Sequence, residues 1–224
     1  SAWSTEHRVK LNEQKCKFMI FSRAKEDFMT RLTVNGMKLD NVPLMKILGV
    51  WIHEDLNWNK NTKEICRRAY SRMSMLTKLK YVGVSTKDLL DIYILFIRSV
   101  TEYCSVVFHS TLTIEQSDDI ERIQKTCLKI IFDGTYVSYP AALKKARLDT
   151  LNARRECRCL KFALRCVKHP KNRRLFPINK NLGNSINKIR KREKLVVNYA
   201  RTDSYFMSTI PFCQRKLNKH FMAK

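Results

Sequence analysis

Leu11-Asn12-Glu13-Gln14-Lys15, Phe18-Met19-Ile20-Phe21, Asn35-Gly36, Lys46-Ile47-Leu48-Gly49-Val50 and Asn57-Trp58 follow one another in the first 58 residues of the chain. Each piece is ordinary alone, and their order is what informs. Residues 8–58 read as strands and turns. Val9 and Leu11 alternate with Arg8 and Lys10, as in a half-buried strand. Leu32-Thr33-Val34, Asn35-Gly36 and Met37-Lys38-Leu39 give a hairpin signal, because Asn-Gly supplies the two positive φ angles of a tight primed turn. Lys46 to Ile52 reads as a further strand, in which Gly49 permits close backbone approach or marks a bulge.

From Asn59 onward the apolar period is that of helices. Ile65, Ala69, Met73, Leu76 and Leu79 share one face of a first helix, and Lys63, Arg67, Arg68 and Arg72 lie on its polar side. A second helix starts at Ser85, with Asp88 three residues on, and its apolar face is Leu89, Tyr93, Phe96, Ile97, Val100 and Tyr103. A third starts at Thr113, where Gln116 completes a capping box, and buries Ile120, Ile123, Cys127, Ile130 and Ile131. A short fourth helix near Pro140 to Arg147 precedes a fifth from Thr150 to about Lys168, ended by His169-Pro170. Pro177, Gly183 and the run Lys188 to Lys194 read as loosely ordered, whereas Tyr199 to Leu217 has enough apolar residues to dock back on the body.

The formal net charge of +24 is unevenly spread. Lys and Arg against Asp and Glu number 18 to 10 in residues 1–100, 6 to 7 in 101–150 and 20 to 3 in 151–224. Such asymmetry points to a polyanion, since cations that neutralise phosphates release condensed counterions. The alternatives are a solvated basic surface or contact with an anionic membrane. The longest apolar run, Ile92 to Ile97, is too short to span a bilayer, which takes about 20 residues. The eight cysteines lie in apolar helical stretches and do not frame loops, so they read as reduced and intracellular.

On the fifth helix Arg154, Arg158, Lys161, Arg165 and Lys168 recur at four- and three-residue spacing and form one basic stripe, beside an apolar stripe of Cys157, Leu160, Leu164 and Val167. Arg173-Arg174 and Lys188, Arg190, Lys191 and Arg192 extend it. With no base-reading motif, contacts to phosphate that tolerate any sequence are expected. Cys157, Cys159, Cys166 and His169 do not have zinc-knuckle spacing; Cys159 and Cys166 share a face about 10 Å apart along the axis, and Cys157 points away. They read as half-buried thiols, and Cys16, Cys66, Cys104 and Cys127 as core residues.

Leu11-Asn12-x-x-Lys15, Lys46-x-Leu48-Gly49-Val50 and Asn57-Trp58 together resemble the palm end of non-LTR retrotransposon reverse transcriptases. The likeness continues through Ile92-Tyr93 to Tyr103, Ile123-Gln124 to Ile131, Tyr139-Pro140-x-Ala142-Leu143, Leu151-x-x-Arg154-Arg155-Glu156 and Ile210-Pro211-Phe212 to Leu217-Asn218. It implies an α+β fold: a small antiparallel β platform as palm remnant, a mainly α-helical, thumb-like bundle and a basic C-terminal region. The corresponding regions are 1–58, the end of the palm with a primer-grip hairpin, 59–135, the helical thumb, and 136–224. Lys15 sits at the family's lysine after the catalytic strand, a cation beside the leaving pyrophosphate. Leu48, Gly49 and Val50 sit at the primer grip, which holds the primer's 3′ end. Singly, Lys15 reads equally as a surface lysine and Leu48-Gly49-Val50 as a bulged core strand.

The resemblance implies, for the full-length transposable-element protein, an RNA-directed DNA polymerase, a nucleotidyltransferase that uses Mg²⁺ and acts in the nucleus. Its partners are an RNA template and a DNA primer, together with the upstream palm and fingers of the same polypeptide, and no membrane. The family's metal-binding carboxylates are an early palm aspartate and an aromatic-x-Asp-Asp turn before the Leu-Asn-x-x-Lys segment. Between Ser1 and Asn12 neither is present, so the chain reads as a piece that grips nucleic acid without polymerising, with no cofactor of its own. Asp118-Asp119 is an acidic pair in the first turn of the third helix, where it stabilises the dipole. A degenerate or co-opted nucleic-acid-binding module is the alternative.

Overall fold

In the computed structural model, which describes residues 6–8, 12–21, 32–179 and 194–222, the chain divides into two units, residues 1–61 and 62–224. Val9, Leu11, Gly183, Lys188, Arg190, Lys191 and Arg192 lie outside the described residues. The first unit carries short strands and the second is helical, an α+β composition at the coarse level.

In the first unit a single 3-10 turn, Glu13–Lys15, follows Asn12. β1 (Lys17–Phe18) pairs with β4 (Asp40–Asn41), and β2 (Thr33–Val34) with β3 (Met37–Lys38) around Asn35-Gly36, whose φ angles are +50° and +81° as the sequence requires. β5 (Leu44–Ile47) pairs with β6 (Val50–His53). Two expectations are corrected. The strands form three separate two-stranded pairs, one of them parallel, where a single antiparallel platform was expected. Lys46 to Ile52 is a hairpin and not one strand, because Leu48 (φ +47°) and Gly49 (φ +87°) form a two-residue turn with both φ angles positive. Leucine seldom adopts that region, since its Cβ crowds the next carbonyl, so the residue type at position 48 hides the turn.

The second unit begins within α1 (Asn59–Tyr81). Ile65, Ala69, Met73 and Leu76 are buried on the expected face. Ser85 accepts the Asp88 N–H at 3.2 Å and caps α2 (Thr86–Ile92), which passes through a π-helical turn, Tyr93–Ile97, into α3 (Arg98–Glu102). The π turn widens the helix by one residue and shifts the phase of its faces. Leu89, Tyr93, Ile97 and Val100 stay buried as expected, but Phe96 and Tyr103 are turned outward, 45% and 51% exposed. Cys104 (φ +50°) redirects the chain into α4 (Ser105–Phe108) and the 3-10 turn His109–Thr111.

Thr113 and Gln116 complete the capping box of α5 (Ile114–Phe132), where Ile120, Ile123, Cys127 and Ile131 are buried with Leu128 and Gln124. α6 (Tyr139–Ala146) starts from the cap Ser138 and ends at Arg147 (φ +53°); α7 (Leu151–Lys168) starts from the cap Thr150. α8 (Asp203–Met207) and α9 (Thr209–Met222) complete the chain's described helices. One core joins α1, α2, the π turn, α5 and α6; a second joins α7 and α9 with Phe176 and Leu195. Each fully buried Leu, Ile or Phe contributes about 1.5–3 kcal/mol. Tyr199 to Leu217 does dock back, through Cys213 and Leu217. α6, on the far side of the boundary expected at residue 135, packs into the first core through Ala142. No described helix is long and apolar enough to cross a membrane.

Candidate nucleic-acid interface

In the first unit Lys15 ends the 3-10 turn, exposed. Asn35 Nδ2 donates to Glu13 Oε1 at 2.6 Å, tying that turn to the β2–β3 hairpin. At the β5–β6 tip Leu48 is 85% exposed, Gly49 is exposed and Val50 is buried. The Trp51 ring receives two ammonium groups, Lys46 at 5.8 Å and Lys60 at 5.5 Å from its centroid, and Asn61 Oδ1 accepts the Trp51 backbone N–H at 3.2 Å. The hairpin thus presents an apolar tip at Leu48, with two exposed ammonium groups near the Trp51 ring of its second strand.

In the second unit the polar side of α1 carries Lys63 and Arg67, both exposed, and Arg68 and Arg72, both half-buried. Arg67 pairs with Glu64 at 2.7 Å. Arg72 stacks on the Phe96 ring 4.4 Å from its centroid and donates to the Phe96 carbonyl. The outward turn of Phe96 therefore has a local partner. Surface pairs of the Arg67 kind contribute about 0–1 kcal/mol, so a phosphate can displace Glu64 at small cost.

The α7 stripe lines a cleft of about 520 Å3, whose wall includes Arg154, Arg158, Lys161 and Arg165 together with Asp149, Cys157, Phe162 and Val106. Beneath it lies Glu102, 5% exposed. Arg154 donates to both Glu102 oxygens, the Nη2–Oε2 contact being 3.2 Å; Arg158 Nη2 donates to Oε2 at 2.5 Å, and Arg98 Nε stands 3.8 Å from Oε1. Burial pushes the Glu102 carboxyl up, but the Arg154 and Arg158 bonds outweigh it and hold it below the ordinary carboxylate range. Lys168, Arg173 and Arg174 are exposed beyond the cleft.

The expected apolar stripe is corrected. Cys157 is exposed, and the buried face of α7 is Leu151, Arg155, Cys159, Ala163 and Cys166, with Leu160, Leu164 and Val167 half-buried at its flank. Cys159 and Cys166 are accordingly fully buried, not half-buried, and Cys16, Cys66 and Cys104 are half-buried while Cys127 is in the core. Asp118-Asp119 lies in the second turn of α5, one turn later than expected, with Asp119 paired to Arg122 at 2.9 Å. Among the described residues no group of three or more His, Cys, Asp and Glu is placed to hold a metal ion.

Two residues that sequence reasoning passed over as individuals shape this surface. Arg98, four residues before Glu102, is its only local sequence signal; the two arginines that donate to it come from 52 and 56 residues away. Arg155 is fully buried; its Nη2 donates to Ser117 Oγ at 2.8 Å, and Nε and Nη1 have no partner among the described residues. Its spacing from Leu151 and Cys159, four residues each way, is the signal that marks the inner face. A second cleft, of about 550 Å3, is walled by His109, Ser110, Ser117 and Glu156. Burial lowers the His109 imidazole to about 4, with Arg155 and Lys216 acting the same way. No family model, curated protein or solved structure matches the chain.

Proposed function

We propose that the chain is part of a retroelement reverse transcriptase, an RNA-directed DNA polymerase of the non-LTR type, in which it grips the template–primer. The single observation that carries this reading is the β5–β6 hairpin with Leu48 at its tip, followed in the chain by a helix with Lys63, Arg67, Arg68 and Arg72 on its polar side. A hairpin tip of that kind can press on the sugars of a primer end, and a row of helix cations can follow phosphates. In this reading residues 59–135 act as the thumb, and Lys15 stands where a cation offsets charge on departing pyrophosphate. Catalytic carboxylates and their Mg²⁺ belong to the preceding part of the palm, so this segment binds without polymerising.

The test is Lys15→Ala in the polypeptide that includes the catalytic carboxylates. The expected result is a slower chemical step, by about 10²-fold, with primer affinity changed little. An equal loss in both would contradict the role.

The alternative, a nucleic-acid-binding module that tolerates any sequence, is favoured by the α7 cleft, which gathers Arg154, Arg158, Lys161 and Arg165 independently of the hairpin. The two readings part on one measurement. Preference for a recessed primer end over blunt duplex supports the first, and equal affinity for both supports the second.

A further inference from the structure

Two cations of the α7 cleft, Arg154 and Arg158, are not merely adjacent; they are held. Arg154 and Arg158 both donate to Glu102, a carboxylate almost wholly withdrawn from solvent, with Arg98 beside it. Three guanidinium groups around one carboxylate leave a net charge of +2 fixed in place, and the side-chain entropy of the arginines is already spent in the free protein. Arg158 remains 48% exposed with Nη2 committed, so its other guanidinium edge can face a ligand. Lys161 and Arg165, both exposed, add two more cations along the same wall.

The cleft is also a recess, and its wall is not purely basic. Its volume of about 520 Å3 lies in the range that encloses one small ligand, and half-buried Phe162 and Val106 give it an apolar side. A duplex presents its phosphates on a stiff outer surface and reaches only the rim of such a recess. A single strand can turn one phosphodiester inward and lay the attached base or sugar on the apolar side.

We infer that this cleft is a preformed phosphate site for single-stranded nucleic acid, and that Glu102 is its positioning residue. The inference rests on the nucleic-acid reading above. Glu102 acts through Arg154 and Arg158: it fixes the direction in which their remaining N–H groups point. Its negative charge therefore aids the binding of a negative ligand, opposite in sign to what net charge alone dictates.

The experiment measures affinity of the full chain for a fluorescent single-stranded oligonucleotide and for a blunt duplex of the same length, across a salt series. The wild type, Glu102→Gln, Arg158→Gln and Lys161→Met are compared, each checked for folding by circular dichroism. Glu102→Gln adds one unit of positive charge, yet it is expected to weaken single-strand binding about tenfold and to lower the salt slope by about 1–2, with duplex affinity unchanged or tighter. Tighter single-strand binding by Glu102→Gln, or an unchanged slope, would overturn the positioning role. If Glu102→Gln does not fold, Arg158→Gln decides: a loss confined to the single strand sustains the site, and an equal loss for the duplex overturns it. Inorganic triphosphate distinguishes the source of the phosphate; displacement of the strand at micromolar concentration would assign the cleft to a free polyphosphate instead. Failure of the wild type to bind either oligonucleotide would instead count against the nucleic-acid reading itself.

Discussion

The Tyr93 hydroxyl donates to Gln124 Oε1 at 2.5 Å in the interior of the helical unit, where both side chains are almost wholly buried. Gln124 Nε2 in turn donates to the Tyr139 hydroxyl at 2.8 Å and to the Asp149 carbonyl at 3.0 Å, and Tyr139 donates to Glu121. Glu121 accepts the N–H groups of Leu151 and Asn152, both at 3.0 Å, so one network fastens the π turn, α5, α6 and the start of α7. Gln124→Leu keeps the volume but strands the Tyr93 hydroxyl and the Asp149 carbonyl. The expected cost is about 2–4 kcal/mol in urea unfolding, since buried groups left unpaired lose their full desolvation energy. A loss under about 1 kcal/mol would mean the network adds little beyond packing.

His109 makes stability depend on pH. Half-buried against Phe212, with ring centroids 5.6 Å apart, it titrates at about 4 in the folded protein and near its ordinary 6.5 when unfolded. Between those values the unfolded state binds the extra proton, so stability is intact above pH 6.5 and falls as pH drops towards 4. The loss should reach about 3 kcal/mol, somewhat less than the product of the shift and 1.4 kcal/mol per unit because part of the imidazole still meets solvent. His109→Phe, which preserves the ring packing, is expected to flatten the stability profile between pH 6.5 and 4; an unaltered profile would assign the acid sensitivity to other groups.

At the hairpin tip stability and grip should move apart. Leu48 holds φ at +47°, which costs a leucine roughly 1 kcal/mol relative to asparagine or glycine. Leu48→Asn is therefore expected to leave Tm unchanged or raised by a few degrees, and to diminish the preference for a recessed primer end. A variant that keeps full preference would remove Leu48 from the primer contact.

Much of the helical unit was legible from period and caps. Ser85, Thr113, Ser138 and Thr150 each accept the backbone N–H three residues on; the sequence marks Ser85 and Thr113 as helix starts by their capping-box spacing to Asp88 and Gln116, and Thr150 as another, but not Ser138. The hairpin at Asn35-Gly36 was equally plain, because its residue types prefer the φ angles the turn needs. Leu48-Gly49 was not: half of its turn is made by a residue whose propensity argues against it. Phe96 faces outward within a π turn that nothing in the residues Tyr93 to Ile97 announces, and Tyr103 because α3 ends at Glu102 and leaves it in extended backbone. The basic stripe of α7 was readable as a stripe. Its cleft and its dependence on Glu102 were not, since they arise where α3 and α7, some 50 residues apart in the chain, meet.

The cations of α7 and its neighbourhood should act on phosphates generally, not on sequence. Arg165→Ala is expected to weaken binding to unrelated oligonucleotides by similar factors and to lower the salt slope by about 1, read by fluorescence anisotropy. A loss confined to one sequence would point to base contacts on this surface.

The central claim, that this chain grips the end of a template–primer, is tested most directly by the affinity of the full chain for a recessed primer–template and for blunt duplex between 50 and 200 mM salt. The account predicts tighter binding to the recessed end at every salt concentration, with both affinities falling roughly 10³-fold or more across the range as at least about six phosphates are engaged. Equal affinity for the two substrates, or a flat response to salt, would contradict it.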